Sequence, residues 1–150
     1  MVFLTGFTCS SFDLLHAGHL LMLEECSQNC DNLVVGLHTD PSIDRASKNR
    51  PIESVYQRYL RLSVIKFIDR IIPYETEEDL LILLTSLNPD VRFLGEDYIG
   101  KDFTGSELTI PIHYCKRYGY SSSSLREKIY ERERLKLLTS AASTNQKEQL

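Results

Sequence analysis

His16 and His19 lie three residues apart around Gly18, immediately before a run in which Leu20, Leu21, Leu23 and Cys26 recur at helical spacing. That places both imidazoles on one face at the start of a helix. Gly18 leaves room for a ligand between them, and the free N–H groups of a helix start can hold an anion. Imidazoles so placed can donate hydrogen bonds to phosphate oxygens as negative charge grows on them. The plain alternative is a pair of surface histidines. A polar stretch from Asp40 to Ile52 carries Lys48 and Arg50, which as residue types are solvated loop charge. Gly95-Glu96-Asp97-Tyr98 follows an apolar run, so its carboxylates could accept from an amino group or a ribose hydroxyl, or simply form an acidic turn. Ser121 to Ser124 precede a helical pattern that begins Leu125-Arg126, which makes them a helix N-terminus and a ready phosphate site. Handling of a small phosphorylated ligand is the chemistry these clusters share.

The rest of the chain is compatible with that. Its 150 residues, 42% hydrophobic and 25% charged, are the size and composition of one globular domain. A net charge of −4 and a pI near 5.6 disfavour a dedicated nucleic-acid binder but leave room for a local cluster of cations. No apolar run reaches the roughly 20 residues that span a bilayer, so no membrane partner is expected. Met1 to Leu4 lacks a secretory signal pattern, and a cytoplasmic location is expected. Cys9, Cys26, Cys30 and Cys115 form no C-x-x-C pair. Cys26 and Cys30 stand four apart on a helix, yet no second pair at zinc spacing follows, and all four read as small hydrophobes with no metal site.

The elements that must position the site follow from periodicity. Apolar runs at 1–8, 32–37, 69–73, 91–94 and 108–114 read as strands, and helical patterns cover 18–28, 53–67, 76–87 and 125–138. Strands alternating with helices specify an α/β fold: a single Rossmann-like domain over residues 1–138 with a mostly parallel, doubly wound five-stranded sheet. Residues 139–150 are polar and are expected to form a disordered tail. In such sheets ligands sit at the carboxyl ends of the strands. The segments there are 9–19, 38–58, 95–101 and 116–126, which hold the clusters above.

Phe12-Asp13-Leu14-Leu15-His16-Ala17-Gly18-His19 resembles the H-x-G-H signature of the nucleotidyltransferase superfamily, in its cytidylyltransferase form. The resemblance covers residues 1 to about 130. Gly95-Glu96-Asp97-Tyr98 is similar to the G-D-D-W segment of glycerol-3-phosphate cytidylyltransferases, and Tyr120-Ser121-Ser122-Ser123 to their I-S-T-T segment. Arg58, which follows Tyr56 in the helical pattern 53–67, resembles an arginine of the cytidylyltransferase helix. Departures are Ser10-Ser11 in place of a G-T pair, Tyr98 in place of Trp, and Lys116-Arg117-Tyr118-Gly119 in place of R-T-E-G. The last leaves open which of Lys116 and Arg117 takes the arginine's role.

The resemblance implies transfer of CMP from CTP to a phosphorylated alcohol, most closely glycerol 3-phosphate, with release of pyrophosphate and no covalent intermediate. It implies catalytic roles for His16, His19, Lys48 and Lys116 or Arg117. It also implies nucleotide contacts from Ser10, Ser11, Phe12, Arg58, Gly95, Glu96, Asp97, Tyr98, Tyr120, Ser121, Ser122 and Ser123. Mg2+ is expected to arrive bound to the triphosphate, and a homodimer is expected from similar enzymes. Asn49-Arg50-Pro51 and Thr104-Gly105-Ser106 are also similar to sugar-phosphate adenylyltransferases of the ADP-heptose type, so ATP and a sugar phosphate form the alternative. A nucleotide-binding module without turnover is the third reading.

Overall fold

A computed structural model of the chain describes residues 3–147, which fall into two compact units, Met1–Gly119 and Tyr120–Leu150. The first unit is the α/β domain. Its elements run β1 (Phe3–Ser10), α1 (Ala17–Gln28), β2 (Cys30–His38), α2 (Val55–Ser63), β3 (Arg70–Tyr74), α3 (Glu77–Leu87), β4 (Val91–Gly95), a 3-10 turn (Glu96–Tyr98) and β5 (Ile112–Cys115). The sheet order is β3-β2-β1-β4-β5, and every pair is parallel. The chain winds outward from β1 in both directions, so the switch point lies between β1 and β4. With Met1 and Val2 of the first expected strand outside the described residues, the expected strands lie within about two residues of those observed except at β5. It begins only at Ile112, because Pro111 has no N–H to give a ladder and instead offers its carbonyl to Arg92 N at 2.8 Å.

Alternation along the strands divides the core into two layers. Leu33, Val35, Leu37, Val91 and Phe93 pack with Leu23 and Cys26 of α1 and Leu62 of α2. Phe7, Val34 and Tyr74 pack on the opposite face with Leu80 and Leu84 of α3. The two intervening helices begin where the sequence supplies a cap. Ser54 accepts from Gln57 N, and Thr76 from Asp79 N, and in return each capping residue's own N–H donates to the side-chain oxygen of Gln57 or Asp79.

The second unit is a helix, α4 (Ser122–Lys147). It corrects the expected tail and the expected boundary at 138: residues 139–147 continue the helix, and 148–150 lie outside the described residues. Composition misled here because Thr139, Ser140 and Ser143 turn their hydroxyls back onto the carbonyls of Leu135, Lys136 and Thr139, at 2.9, 3.0 and 3.0 Å. Such side chains lose their competing non-helical bonds, and Ala141 and Ala142 are strong helix formers.

Arg58 fixes the loops that rise from the strand ends. It is 2% exposed. Its Nε donates to Glu53 O at 3.0 Å, Nη1 to Ser11 O and His38 O at 2.8 Å each, and Nη2 to Thr39 O at 2.6 Å. In place of the nucleotide contact expected of Arg58, the structure gives four of its five N–H groups to main-chain carbonyls, so that it holds these loops from beneath. An ammonium cannot reach four diverging carbonyls at once. Arg58→Lys should lower the free energy of unfolding by about 2–4 kcal/mol in urea titrations, as charged hydrogen bonds are lost and buried carbonyls left unpaired. A change below about 0.5 kcal/mol would show that the guanidinium holds nothing together.

Candidate active site

The loop after β1 is held in an unusual conformation. Phe12 and Leu14 have φ of 48° and 51°, the left-handed region that non-glycine residues rarely occupy. Between them Asp13, 3% exposed, accepts Ile52 N at 3.0 Å and Glu53 N at 2.9 Å. Glu53 returns the contact, accepting Leu14 N at 3.1 Å. Phe12 meanwhile anchors its ring in the core. Backbone strain of this kind persists only where its surroundings over-determine it. Here it delivers the chain to His16 in a fixed direction.

His16 is the N-cap of α1. Its Nδ1 accepts Gly18 N at 3.1 Å, while His16 N donates to His19 Nδ1 at 3.3 Å, a capping box built from two histidines. The rings stack with centroids 3.8 Å apart, and Phe12 lies 5.3 Å from the His19 ring. Because each Nδ1 accepts a main-chain N–H, each neutral ring carries its proton on Nε2. Burial, and then the Arg117 charge, lowers the His16 pKa below the ordinary imidazole range. Burial pushes His19 down to about 3, with His16 and Arg117 adding to the effect and Asp13 opposing it. Both rings are neutral at pH 7, and each presents one N–H donor. That suits stabilisation of developing negative charge without proton transfer.

A cavity of about 600 Å³ opens at the strand ends. Of the expected residues, Ser10, Ser11, Phe12, His19, Lys48, Gly95, Asp97, Tyr98 and Arg117 line it. His16 is joined to it through the stacked His19 ring. Arg117 and Lys116 separate clearly. Arg117 faces the cavity, its Nε 3.4 Å from Asp97 Oδ1, while its own N–H donates to Glu96 Oε1 at 2.8 Å. Lys116 donates its N–H to Glu25 Oε2 at 3.2 Å and lays its ammonium over the Tyr118 ring. A Cβ at Gly95 would strike Asp97 Oδ1, so glycine is what lets Asp97 fold toward Arg117. In the second unit, Ser121 caps α4, its Oγ accepting Ser124 N at 3.1 Å, with Ser122 and Ser123 in the first turn and Tyr120 exposed before it.

Thr104 of the Thr104-Gly105-Ser106 segment also lines the cavity, and other lining residues were not singled out as site residues from the sequence: Cys9, His38, Arg45, Tyr74, Glu77 and Arg92. Glu77 pairs with Arg45 at 3.4 Å and accepts from Thr104 Oγ1, and His38 stacks on Tyr74 at 4.5 Å. The signal was present in one case, since Arg92 interrupts the apolar run Val91-Arg92-Phe93-Leu94. Among the described residues, Glu25, His113 and Cys115 form one group that could hold a metal ion, away from the cavity lining. There His113 Nε2 and Glu25 Oε1 are already paired at 2.9 Å. The Cys26–Cys30 spacing makes no site, because Cys30 Sγ donates to the Cys26 carbonyl at 3.3 Å and Cys26 Sγ faces Cys115 Sγ at 3.8 Å.

Residues 7–128 match the family model described as cytidylyltransferase-like. The chain belongs to that family. This cytidylyltransferase-like chain is 39% identical over 125 residues to the bifunctional protein HldE of Helicobacter pylori strain HPAG1, a match covering 82% of the chain and 27% of that protein. It is 33% identical over 129 residues to the bifunctional protein HldE of Campylobacter jejuni subsp. jejuni serotype O:6, covering 85% and 28%. It thus spans about a quarter of the length of these relatives. Among solved structures, the lipopolysaccharide core biosynthesis protein from Thermoplasma volcanium GSS1 is similar, with a TM-score of 0.62, 27% identity and coverage of 79% of this chain and 99% of that one. Among the described residues, no helix is long and apolar enough to cross a membrane.

Two measurements test the histidine pair. Asparagine at position 16 keeps an acceptor for the Gly18 amide and removes the Nε2 donor, so His16→Asn should fold with a melting temperature near that of the parent. Its kcat should fall by about 10²–10³-fold. A normal melt with parental kcat would remove the pair from catalysis.

The second concerns acid. His19 is depressed in the folded chain, so the unfolded chain binds its proton first. Stability should therefore fall as pH drops from about 6.5 toward 3, by as much as about 1.4 kcal/mol per pH unit. Urea titrations across pH 7 to 4 should show this slope in the parent and a shallower one in His19→Asn. Identical slopes would mean that His19 titrates freely.

Proposed function

We propose that the chain transfers a nucleoside monophosphate from a nucleoside triphosphate to a phosphorylated sugar, with ATP as the nucleotide. The similarity to HldE over 82% of the chain carries this reading, since it favours the ADP-heptose type of adenylyltransferase over the glycerol-3-phosphate cytidylyltransferase. Two features of the site support it. Thr104, of the Thr104-Gly105-Ser106 segment, lines the cavity and bonds Glu77. The carboxylates available for a cytosine amino group, Glu96 and Asp97, are both engaged by Arg117.

In this reading an acceptor phosphate oxygen attacks the α-phosphorus in line. A P–O bond forms there as the bond to the β-phosphate oxygen breaks, and pyrophosphate leaves. The protein contributes position and charge stabilisation. The Nε2–H donors of His16 and His19 meet charge that grows in the transition state, which raises kcat where equal ground-state binding would not. Arg117 and the exposed Lys48 supply cations to the phosphates, and Mg2+ enters as part of the nucleotide substrate.

Pyrophosphate release should be measured for ATP, CTP, GTP and UTP against a panel of sugar 1-phosphates and phosphorylated alcohols that includes glycerol 3-phosphate. ATP with a sugar phosphate should give the largest kcat/KM, at least tenfold above CTP with glycerol 3-phosphate. The reverse order would restore the cytidylyltransferase reading. No release from any pair would leave a binding module.

A further inference from the structure

Arg92 is 3% exposed on the central strand β4. Its neighbours Val91 and Phe93 face α1, so the pleat turns Arg92 to the other side of the sheet, where it lines the cavity with Cys9, Tyr74 and Thr104. Its Nη1 donates to the Thr104 carbonyl, and the guanidinium stands 5.2 Å from the Phe103 ring centre. The Nε has no hydrogen-bond partner. Among the described residues no carboxylate approaches the guanidinium to ion-pair distance. Glu77, the acid at this end of the cavity, is committed to Arg45 and Thr104. Cys9 and Tyr74 bring no compensating charge, because burial raises the pKa of both.

A buried cation without an anion is costly, and an unpaired donor beside it adds to the cost. Structural arginines escape that cost by saturation, as Arg58 does with its four carbonyls. Arg92 is unsaturated and opens on a cavity large enough for a ligand. It also lies across the sheet from the α1 side that carries the histidines. In-line displacement brings nucleophile and leaving group to opposite sides of the phosphorus, so the two ends of this cavity suit two substrates.

We infer that Arg92 holds an oxyanion of the acceptor substrate, a phosphate or carboxylate, at the end of the cavity walled by Cys9, Tyr74 and Thr104. Arg92 is then a specificity-determining residue that selects an anionic acceptor. The inference rests on the nucleotidyltransferase reading for the word acceptor, and on Arg92 alone for the anion.

The test has a binding arm and a kinetic arm. Inorganic phosphate is titrated calorimetrically into the parent, Arg92→Gln and Arg92→Lys. The expected result is at least a tenfold weaker Kd in Arg92→Gln and a smaller loss in Arg92→Lys, which keeps the charge without the fork. Unchanged phosphate affinity in either folded variant, with only a lower melting temperature, would make Arg92 a prop for the 99–108 loop and overturn the inference. If Arg92→Gln fails to fold, Arg92→Lys decides alone.

In the kinetic arm, the pair active in the pyrophosphate screen is used with Arg92→Gln. Acceptor KM should rise at least tenfold with nucleotide KM within twofold. A rise confined to nucleotide KM would assign the oxyanion to the triphosphate instead and overturn the acceptor assignment. Absence of turnover in the parent would defeat the nucleotidyltransferase reading, while the binding arm would still report on the anion.

Discussion

Arg58 donates to four carbonyl oxygens that belong to three separate segments: Ser11 after β1, His38 and Thr39 after β2, and Glu53 before α2. Asp13 completes the clamp from the other side by accepting the N–H groups of Ile52 and Glu53. Loop tips at the ends of parallel strands have few main-chain partners of their own, and without such a clamp they would move independently. The loops after β1 and β2 and the entry into α2 are tied together by these two side chains. The left-handed turns at Phe12 and Leu14, the direction of entry into α1, and the place of the polar loop after β2 all follow. The nucleotide contact expected of Arg58 gives way to this role, since four of the five guanidinium N–H groups are committed to main-chain carbonyls.

The histidines combine two tasks that ordinarily fall to different residues. As a cap, His16 satisfies a main-chain amide that the helix start leaves free. As chemistry, the same bond fixes the tautomer and aims Nε2–H away from the helix. Burial and the nearby Arg117 then keep the rings uncharged, so they offer neutral donors. In the proposed reaction, ground-state attraction of the triphosphate falls to exposed cations such as Lys48, and selective transition-state stabilisation to the neutral pair. Division of labour between charge and directed hydrogen bonds is what favours rate over mere binding.

Much of this was legible in the residues. Apolar runs located the strands because parallel strands are buried on both faces, and Thr76 and Ser121 announced helix starts by their type, whereas the cap at Ser54 lay inside the helical pattern expected from residue 53. The pair His16 and His19 could be placed on one helical face by counting. Three things were not legible. The helix beyond residue 138 was hidden because Thr139, Ser140 and Ser143 bond their own helix, a choice that composition does not record. The separation of Arg117 from Lys116 depended on which side of a strand end each faces, and Glu25 decides that by holding the Lys116 amide. The third is the cavity wall of Cys9, His38, Tyr74, Glu77 and Arg92, which draws on five elements or their flanks and has no local spacing to betray it.

The chain contains two almost fully buried arginines in its α/β domain, and the contrast between them separates scaffold from site. Both are buried away from water. Arg58 meets that burial with an array of carbonyl dipoles, which lowers the cost of the charge and leaves no room for exchange. Arg92 meets it with one carbonyl and an aromatic face, neither of which neutralises a full charge. Had stability alone shaped β4, an apolar residue at position 92 would fill the same space beside Phe103 at lower cost, as replacements of buried ion pairs by hydrophobes show in other proteins. Unmet demand at a buried cation is therefore a better marker of a binding role than burial or charge taken singly, and in this domain it points away from the histidines, toward the opposite face of the sheet.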